Sequence, residues 1–406
     1  MTDSDRERGG IAAGRGRVAR GVATVRPLLL VALVVVATTL AGCGALPGGG
    51  SDGGAQGNVD VPREVTEPLE PSASEVFERV EGILGVNGTA PDVELTSSST
   101  DRNLSNPALR TLVGLPEDPS KLSYSVNTFY DAADNVVYVN EETVHDMNGS
   151  EIEAALAYEF GAALHYQQGW VELGWFDSPE RIGLYFATLG VVGNAYADEY
   201  LEESRFSPPE FEGASAYRWA VSGAQEYYGD RYVDSVIDSP AEVASVYGSD
   251  RPTTTEQLLH DTGEEPLALT LDASASNWWT REQLPNGLDR LGEVGTRAVL
   301  RSQLPKSEAA AAADGWGNDS VVTYASVRNE SVGTVWVHRW DSVSEADEFV
   351  DAAEAYADAR ENDEYAVDVT RPAEDATIVV AHRGEFVANA EIAYEDGVVT
   401  VRVGDP

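Results

Sequence analysis

The sequence predicts a mixed α+β fold. A mainly helical body spans residues 74–310, and a smaller antiparallel α+β region spans residues 311–406. Three observations predict it. Apolar residues make up 42% of the 406, enough for a sizeable core in a chain of this length. Around EIEAALAYEFGAALHYQQ, residues 151–168, apolar side chains recur at helical spacing. Beyond Gly317 the pattern turns to strand-like alternation, as in GTVWVHRW and TIVVAHR.

The first element is an address. Arg6, Arg8, Arg15, Arg17, Arg20 and Arg26 precede an uncharged run, Leu28 to Gly42, with the length of a signal-peptide core and short for a spanning helix. Leu40-Ala41-Gly42-Cys43 resembles a lipobox, which makes residues 1–42 a signal peptide and Cys43 the lipid-modified first residue of the mature chain. Cys43 is the only cysteine, so no intramolecular disulfide forms. No Arg-Arg pair is present, which leaves open the export route. An uncleaved segment would anchor the chain with the same topology. The Gly/Pro-rich stretch that follows makes residues 43–73 a flexible tether.

The body follows in order. Glu75 to Leu84 reads as a helix, and Ser123–Tyr130 and Asn135–Asn140 as strands around an Ala132-Ala133-Asp134 turn. A long helix starts at Ser150, with Glu153 at capping-box spacing. Further helices are expected at Arg181–Arg205 and Ala214–Val236, and looser chain from Asp250 to Leu269. Strands are expected in VVTYASV, GTVWVHRW, TIVVAHR, EFVANAEI and VVTVRV, with one helix among them at Ser344–Arg360.

Charge sets the partners. Asp and Glu number 69 against 27 Lys and Arg, a net of −42, and lysine occurs only at Lys121 and Lys306. Such a surface repels phosphate backbones and anionic membrane faces, so nucleic acid is excluded as a partner and membrane attachment falls to the lipid on Cys43. At molar salt the Debye length falls to about 3 Å and self-repulsion is screened. This acid-rich, lysine-poor composition resembles proteins of salt-loving archaea. Five Asn-x-Ser/Thr sequons, at Asn87, Asn103, Asn148, Asn318 and Asn329, are candidate glycosylation sites in an exported chain.

The informative motif is a broken one. A zincin-type peptidase needs His-Glu-x-x-His on a helix, two imidazoles one turn apart to bind zinc and a glutamate to act on the metal-bound water. Residues 157–168 read AYEFGAALHYQQ and resemble the corresponding helix of a family of prokaryotic surface lipoproteins with a zincin-like core. On that resemblance Tyr158 and Ala162 stand at the ligand-histidine positions, Glu159 at the base, and His165 in place of a glutamine. Val191-Val192-Gly193-Asn194-Ala195 resembles the family's third-ligand segment, with Val192 at the ligand position. Residues 252–260 (PTTTEQLLH) and 315–319 (GWGND), then Trp340-Asp341 and Ala346 to Phe349, resemble further family segments. The resemblance implies a zincin-like helical region over residues 74–310 with no metal ligand left, no cofactor and no peptidase activity. A phenol and a methyl group do not replace neutral imidazoles.

Other constellations carry less. His145, His165 and Glu172 match no ligand spacing. Gly49 to Gly53 spells G-x-S-x-G, but in the tether, without the strand and helix of a nucleophile elbow. The acidic run Glu361–Glu364 lacks EF-hand spacing. Tyr227-Tyr228, Trp278-Trp279 and the pair Trp170 and Trp175 are core or cleft aromatics. The expectation is a lipid-anchored protein on the outer face of the cytoplasmic membrane, acting as a binding domain towards an envelope protein or small molecule. The alternatives are an active surface hydrolase built on Glu159 and His165, and a solute-binding or structural envelope component.

Overall fold

The computed structural model describes residues 62, 65, 69, 71–97, 101–103, 106–114, 123–125, 127–201, 216–260, 265–282, 289–361 and 364–405. The leader, Cys43 and the glycine-rich tract lie outside the described residues, as does the side chain of Asn103. Among the described residues no helix is long and apolar enough to cross a membrane. The fold is mixed α+β.

The first half builds a helical layer on a small sheet. Helix α1 (Ala73–Leu84) is capped by the Ser72 side chain, which accepts from Glu75 N, and ends on Gly85 at φ 67°, the left-handed C-cap that glycine tolerates. Strand β1 (Asp92–Thr96) follows, then β2 (Asp101–Asn103), helix α2 (Pro107–Leu112), β3 (Ser123–Ser125), β4 (Thr128–Asp131) and β5 (Val136–Asn140). Strands run in the order β1-β5-β4, with β1 parallel and β4 antiparallel to β5. Strands β2 and β3 form a separate antiparallel pair.

Helix α3 (Gly149–Gln167) is capped two residues before its Ser150 signal. Asn148 is the cap: its side chain accepts from Glu151 N, and the Glu151 carboxylate accepts from Asn148 N. The residue with extended backbone geometry is Asn148, not the expected Ser150, and asparagine is a cap at least as good as serine. Helix α3 is buried on nearly all sides from Ile152 to His165, so it reads as apolar all round rather than amphipathic. Helix α4 (Pro179–Tyr200) packs against it. Glu153 of α3 accepts from both Arg79 of α1 (3.0 Å) and Tyr196 Oη of α4 (2.7 Å), which ties the three helices together. Phe77 and Phe160 meet edge-to-face at 5.4 Å in the same layer.

Residues 216–236 are helical throughout, but Trp219–Gly223 form a π turn before helix α5 (Ala224–Val236). Helices α4 and α5 cross closely because Gly183 and Gly229 face each other. A Cβ on Gly229 would lie 2.4 Å from Gly183 O.

The second half is a five-stranded antiparallel sheet covered on both faces. Its components are β6 (Thr270–Ala275), β7 (Trp279–Glu282), helix α6 (Gly292–Arg301), β8 (Trp316–Ser326), β9 (Val332–Trp340), helix α7 (Val343–Arg360), β10 (Ala366–Ala373), β11 (Ala376–Arg383), β12 (Ala390–Glu395) and β13 (Val398–Val403). The main sheet runs β10-β11-β9-β8-β7. Helices α2, α6 and α7 cover one face, over Val321, Trp336, Trp340 and Val379. On the other face Val322, Val335, Val337 and Val380 pack with Val399, Val401 and Val403 of the β12-β13-β6 sheet. Strands β8 and β9 are therefore buried on both faces and read as nearly continuous apolar runs.

Two expectations change here. The boundary at residue 311 falls inside this unit, because β6 pairs in parallel with β13 and β7 pairs with β8. The segment EFVANAEI is not one strand: Phe386–Asn389 form a helical turn and β12 starts at Ala390. Phe386 is drawn into the space between the sheets, where its ring meets Trp279 edge-to-face and stacks on Tyr324.

Candidate functional site

The segment that resembles a zincin helix lies in α3, which packs against α4. Tyr158, Ala162 and Val192 are all buried, at 4%, 0% and 0% exposure. A Cβ on Gly161 would sit 3.0 Å from Val192 Cγ1, and one on Gly193 would sit 3.5 Å from Tyr158 Cδ2. Tyr158 and Val192 thus line the seam between α3 and α4, and Ala162 is buried in the same core. A catalytic metal needs an open coordination position for water.

Glu159 is 0% exposed. Its Oε1 accepts from Thr128 Oγ1 at 3.0 Å and its Oε2 from the Tyr130 backbone N–H at 2.9 Å. Both donors belong to β4, the sheet edge beneath α3. The carboxylate therefore works as an anchor between helix and sheet, and both oxygens are already engaged.

His165 does not join it. Six residues along a helix correspond to about 240° of rotation and about 9 Å of rise, which takes the imidazole to a different side of α3. There it is fully buried among Trp170, Tyr185 and Tyr247, with ring centroids at 5.2, 6.3 and 5.6 Å. Neither ring nitrogen reaches a hydrogen-bond partner. Burial pushes the imidazole down to about 3; the nearby Gly161 carbonyl, outside good hydrogen-bond geometry, pulls the other way. A neutral, sealed histidine is not available as a proton shuttle at neutral pH. His145 and Glu172 stay on the surface, so the trio with His165 is not assembled. Trp170 and Trp175 pack on Tyr247, and Trp279 lies between the two sheets.

A cleft of about 910 Å³ opens beside the C-terminal end of α3. Tyr130, Tyr166, Asn135, Gln167, Gln168 and the 87–89 loop are among its walls. Gln167 pairs with this loop as a strand would: its Nε2 donates to Thr89 O at 2.8 Å and its Oε1 accepts from Thr89 N at 2.7 Å. Gln168 Nε2 donates to Asn87 O at 2.8 Å. The motif's glutamines therefore shape the cleft's wall, while Glu159 does not reach it.

The other two motifs, far apart in sequence, converge on the first turn of α6. Asp319 from the GWGND segment is buried and accepts four N–H groups: Leu291 N, Gly292 N, Trp316 Nε1 and Trp336 Nε1, at 2.8–3.1 Å. Burial raises its carboxyl above the ordinary range, against the pull of Leu291 N, Trp336 Nε1, Gly292 N and the Arg290 charge. Thr255 from PTTTEQLLH accepts from Val294 N at 3.2 Å. The same segment delivers His260, whose Nε2 lies 3.1 Å from Glu293 Oε1 and 3.5 Å from Asp314 Oδ1. Trp340, Ala346 and Phe349 are all fully buried on the helix-covered face. These motif residues are explained by packing and capping. His260 alone points to a cluster of metal-ligand types, which the sequence did not signal because Glu293 stands 33 positions away.

Of the sequons, Asn87, Asn148 and Asn329 are exposed, whereas Asn318 is half-buried and its Nδ2 donates to Leu267 O at 2.7 Å. The C-terminal part, residues 282–406, matches the family model of a domain of unknown function (DUF8575). No curated protein and no solved structure matches the chain.

Proposed function

We propose that this chain is a lipid-anchored surface protein of a salt-loving archaeon whose body is a peptidase-like scaffold used for binding rather than cleavage. The single observation that carries the reading is Glu159. Its two carboxylate oxygens are both engaged by β4, and the ligand positions around it are filled by Tyr158, Ala162 and Val192. A general base needs a free oxygen within reach of a water and a means of activating that water. Binding falls to the cleft beside α3, where two tyrosine faces and a set of amides suit a neutral polar ligand or an extended peptide. The lipobox-like Leu40 to Cys43 and the net charge of −42 support the anchored, high-salt setting.

The test is a casein-hydrolysis assay of the full chain in molar salt with added zinc, run beside Glu159→Gln. The reading expects no cleavage by either protein. Zinc-dependent cleavage by the wild type that disappears in Glu159→Gln would overturn it.

A further inference from the structure

The described residues bring three metal-ligand side chains together at one place: His260, Glu293 and Asp314, whose ligand atoms all lie within 4.8 Å of one another. They arrive from separate segments. His260 follows the 3-10 turn Glu256–Leu258, Glu293 lies in the first turn of α6, and Asp314 lies in the turn before β8. We propose that these three residues bind one divalent cation of the zinc class, with water completing the shell.

Three features carry the proposal. The first is spacing. Tetrahedral zinc with bonds of about 2.1 Å holds its ligands about 3.4 Å apart; His260 Nε2 stands 3.1 Å from Glu293 Oε1 and 3.5 Å from Asp314 Oδ1, and the two carboxylates come within 4.8 Å of each other. The second is an idle acceptor. The Glu293 side chain is 0% exposed, and its Oε2 has no hydrogen-bond partner. A buried carboxylate oxygen left unpaired is costly, and a cation held by both Glu293 oxygens would recover that cost.

The third is a conflict at His260. Its Nε2 also lies 3.2 Å from Arg297 Nη2. As an N–H it suits the two carboxylates and abuts the guanidinium; as a lone pair it suits Arg297 and repels the carboxylates. No protonation state satisfies all three contacts. A cation on Nε2 resolves the conflict, because Arg297 already holds Glu293 Oε1 through Nε at 2.9 Å and through Nη2 at 2.5 Å and can stay there as a positioning residue. The positive end of α6 does not oppose the ion strongly, since Asp319 and Thr255 already cap its first N–H groups. One imidazole with two carboxylates selects a zinc-class ion over magnesium or calcium. His260 and Asp314 are both open to solvent, which leaves an entry path.

The proposal does not rest on the peptidase-like reading, and its test separates the two. The full chain, stripped with chelator and returned to molar salt, is titrated with Zn²⁺ by calorimetry. One equivalent is expected for the wild type and for Glu159→Gln. Asp314→Ala, at an exposed position where folding is safe, should weaken binding at least about tenfold, and His260→Ala should abolish it. Failure of the wild type to take up zinc would overturn the proposal. So would uptake unchanged in both Asp314→Ala and His260→Ala. Uptake lost in Glu159→Gln but kept in His260→Ala would place the ion on α3 and overturn both readings.

Discussion

Glu159 in α3 and Glu293 in α6 are both fully buried glutamates beside a histidine-bearing motif, and they differ in what their oxygens do. Glu159 has each oxygen engaged by a β4 donor, Thr128 Oγ1 and Tyr130 N. Glu293 crowds Arg297 and His260 onto Oε1 and leaves Oε2 idle. The first sits in the segment that looks most like an active site, the second in a segment that looks like nothing in particular. The difference teaches that lone-pair accounting separates structure from chemistry better than motif resemblance does. A carboxylate with all its acceptors used holds the fold together. One with an unused acceptor next to other ligands is where a function is to be sought.

Asp319 extends the comparison, and removing it should have the largest effect. Asp319→Ala leaves four N–H groups, two of them indoles, without an acceptor in a buried site. The expected loss is about 4 kcal/mol or failure to fold, measured by urea unfolding in molar salt. Stability within 1 kcal/mol of the wild type, as a rough limit, would break the capping account of α6.

Acid sensitivity comes next. His165 and His338 are both fully buried without hydrogen-bond partners, and burial pushes each down from 6.5 to about 3. His338 lies between Trp336 and Trp340, under Phe349. Between these values the unfolded chain binds protons that the fold refuses, so stability falls as pH falls through that window. Each site contributes up to about 1.4 kcal/mol per pH unit. Glu226 acts in the opposite direction. Burial, opposed by Arg218, raises it from 4.5 to about 7, so the fold holds a proton that the unfolded chain has released, and stability falls as pH rises from 4.5 to 7. Glu226→Gln should flatten that upper slope and leave the acid slope intact. A variant with the wild-type profile throughout would contradict the assignment.

The sequence disclosed some of this and concealed the rest for physical reasons. Helix α7 was legible because Ser342 caps Glu345 N ahead of an alanine-rich amphipathic run. Strands β8 and β9 were legible because both faces are buried. Strands β6 and β7 were not: TLDASA carries little apolar surface, and its partner β13 lies more than a hundred residues on. Helix α6 was not legible either, since GEVGTRAVLR holds two glycines and owes its start to Asp319 and Thr255 rather than to propensity. For the candidate site, Glu159, Tyr158, Ala162 and Val192 were visible as a set; the structure packs Tyr158 and Val192 where α3 meets α4 and turns Glu159 to β4 instead. His260 was visible as part of a motif. Its neighbours Glu293 and Asp314 were not, because nothing in the spacing of three separate segments announces that they meet.

Two smaller effects sharpen the account of the surface. With a net charge of −42, the unfolding midpoint should rise as salt goes from about 0.1 M to about 1 M and the Debye length shrinks from about 10 to about 3 Å. A midpoint indifferent to salt would contradict the high-salt setting. In the native host, glycans should appear on Asn87, Asn148 and Asn329 ahead of Asn318, whose Nδ2 is already bonded. Peptide mapping that finds Asn318 modified first would show that this part of β8 opens.

The central claim is that Glu159 is a structural anchor, and the unfolding free energy of Glu159→Ala tests it most directly. Removing the carboxylate leaves the Thr128 hydroxyl and the Tyr130 N–H unpaired beneath α3, and the account predicts a loss of about 2–3 kcal/mol in molar salt. A residue kept for catalysis would behave in the other way, because replacing one commonly leaves stability unchanged or raises it. A Glu159→Ala protein as stable as the wild type, or more so, would contradict the account.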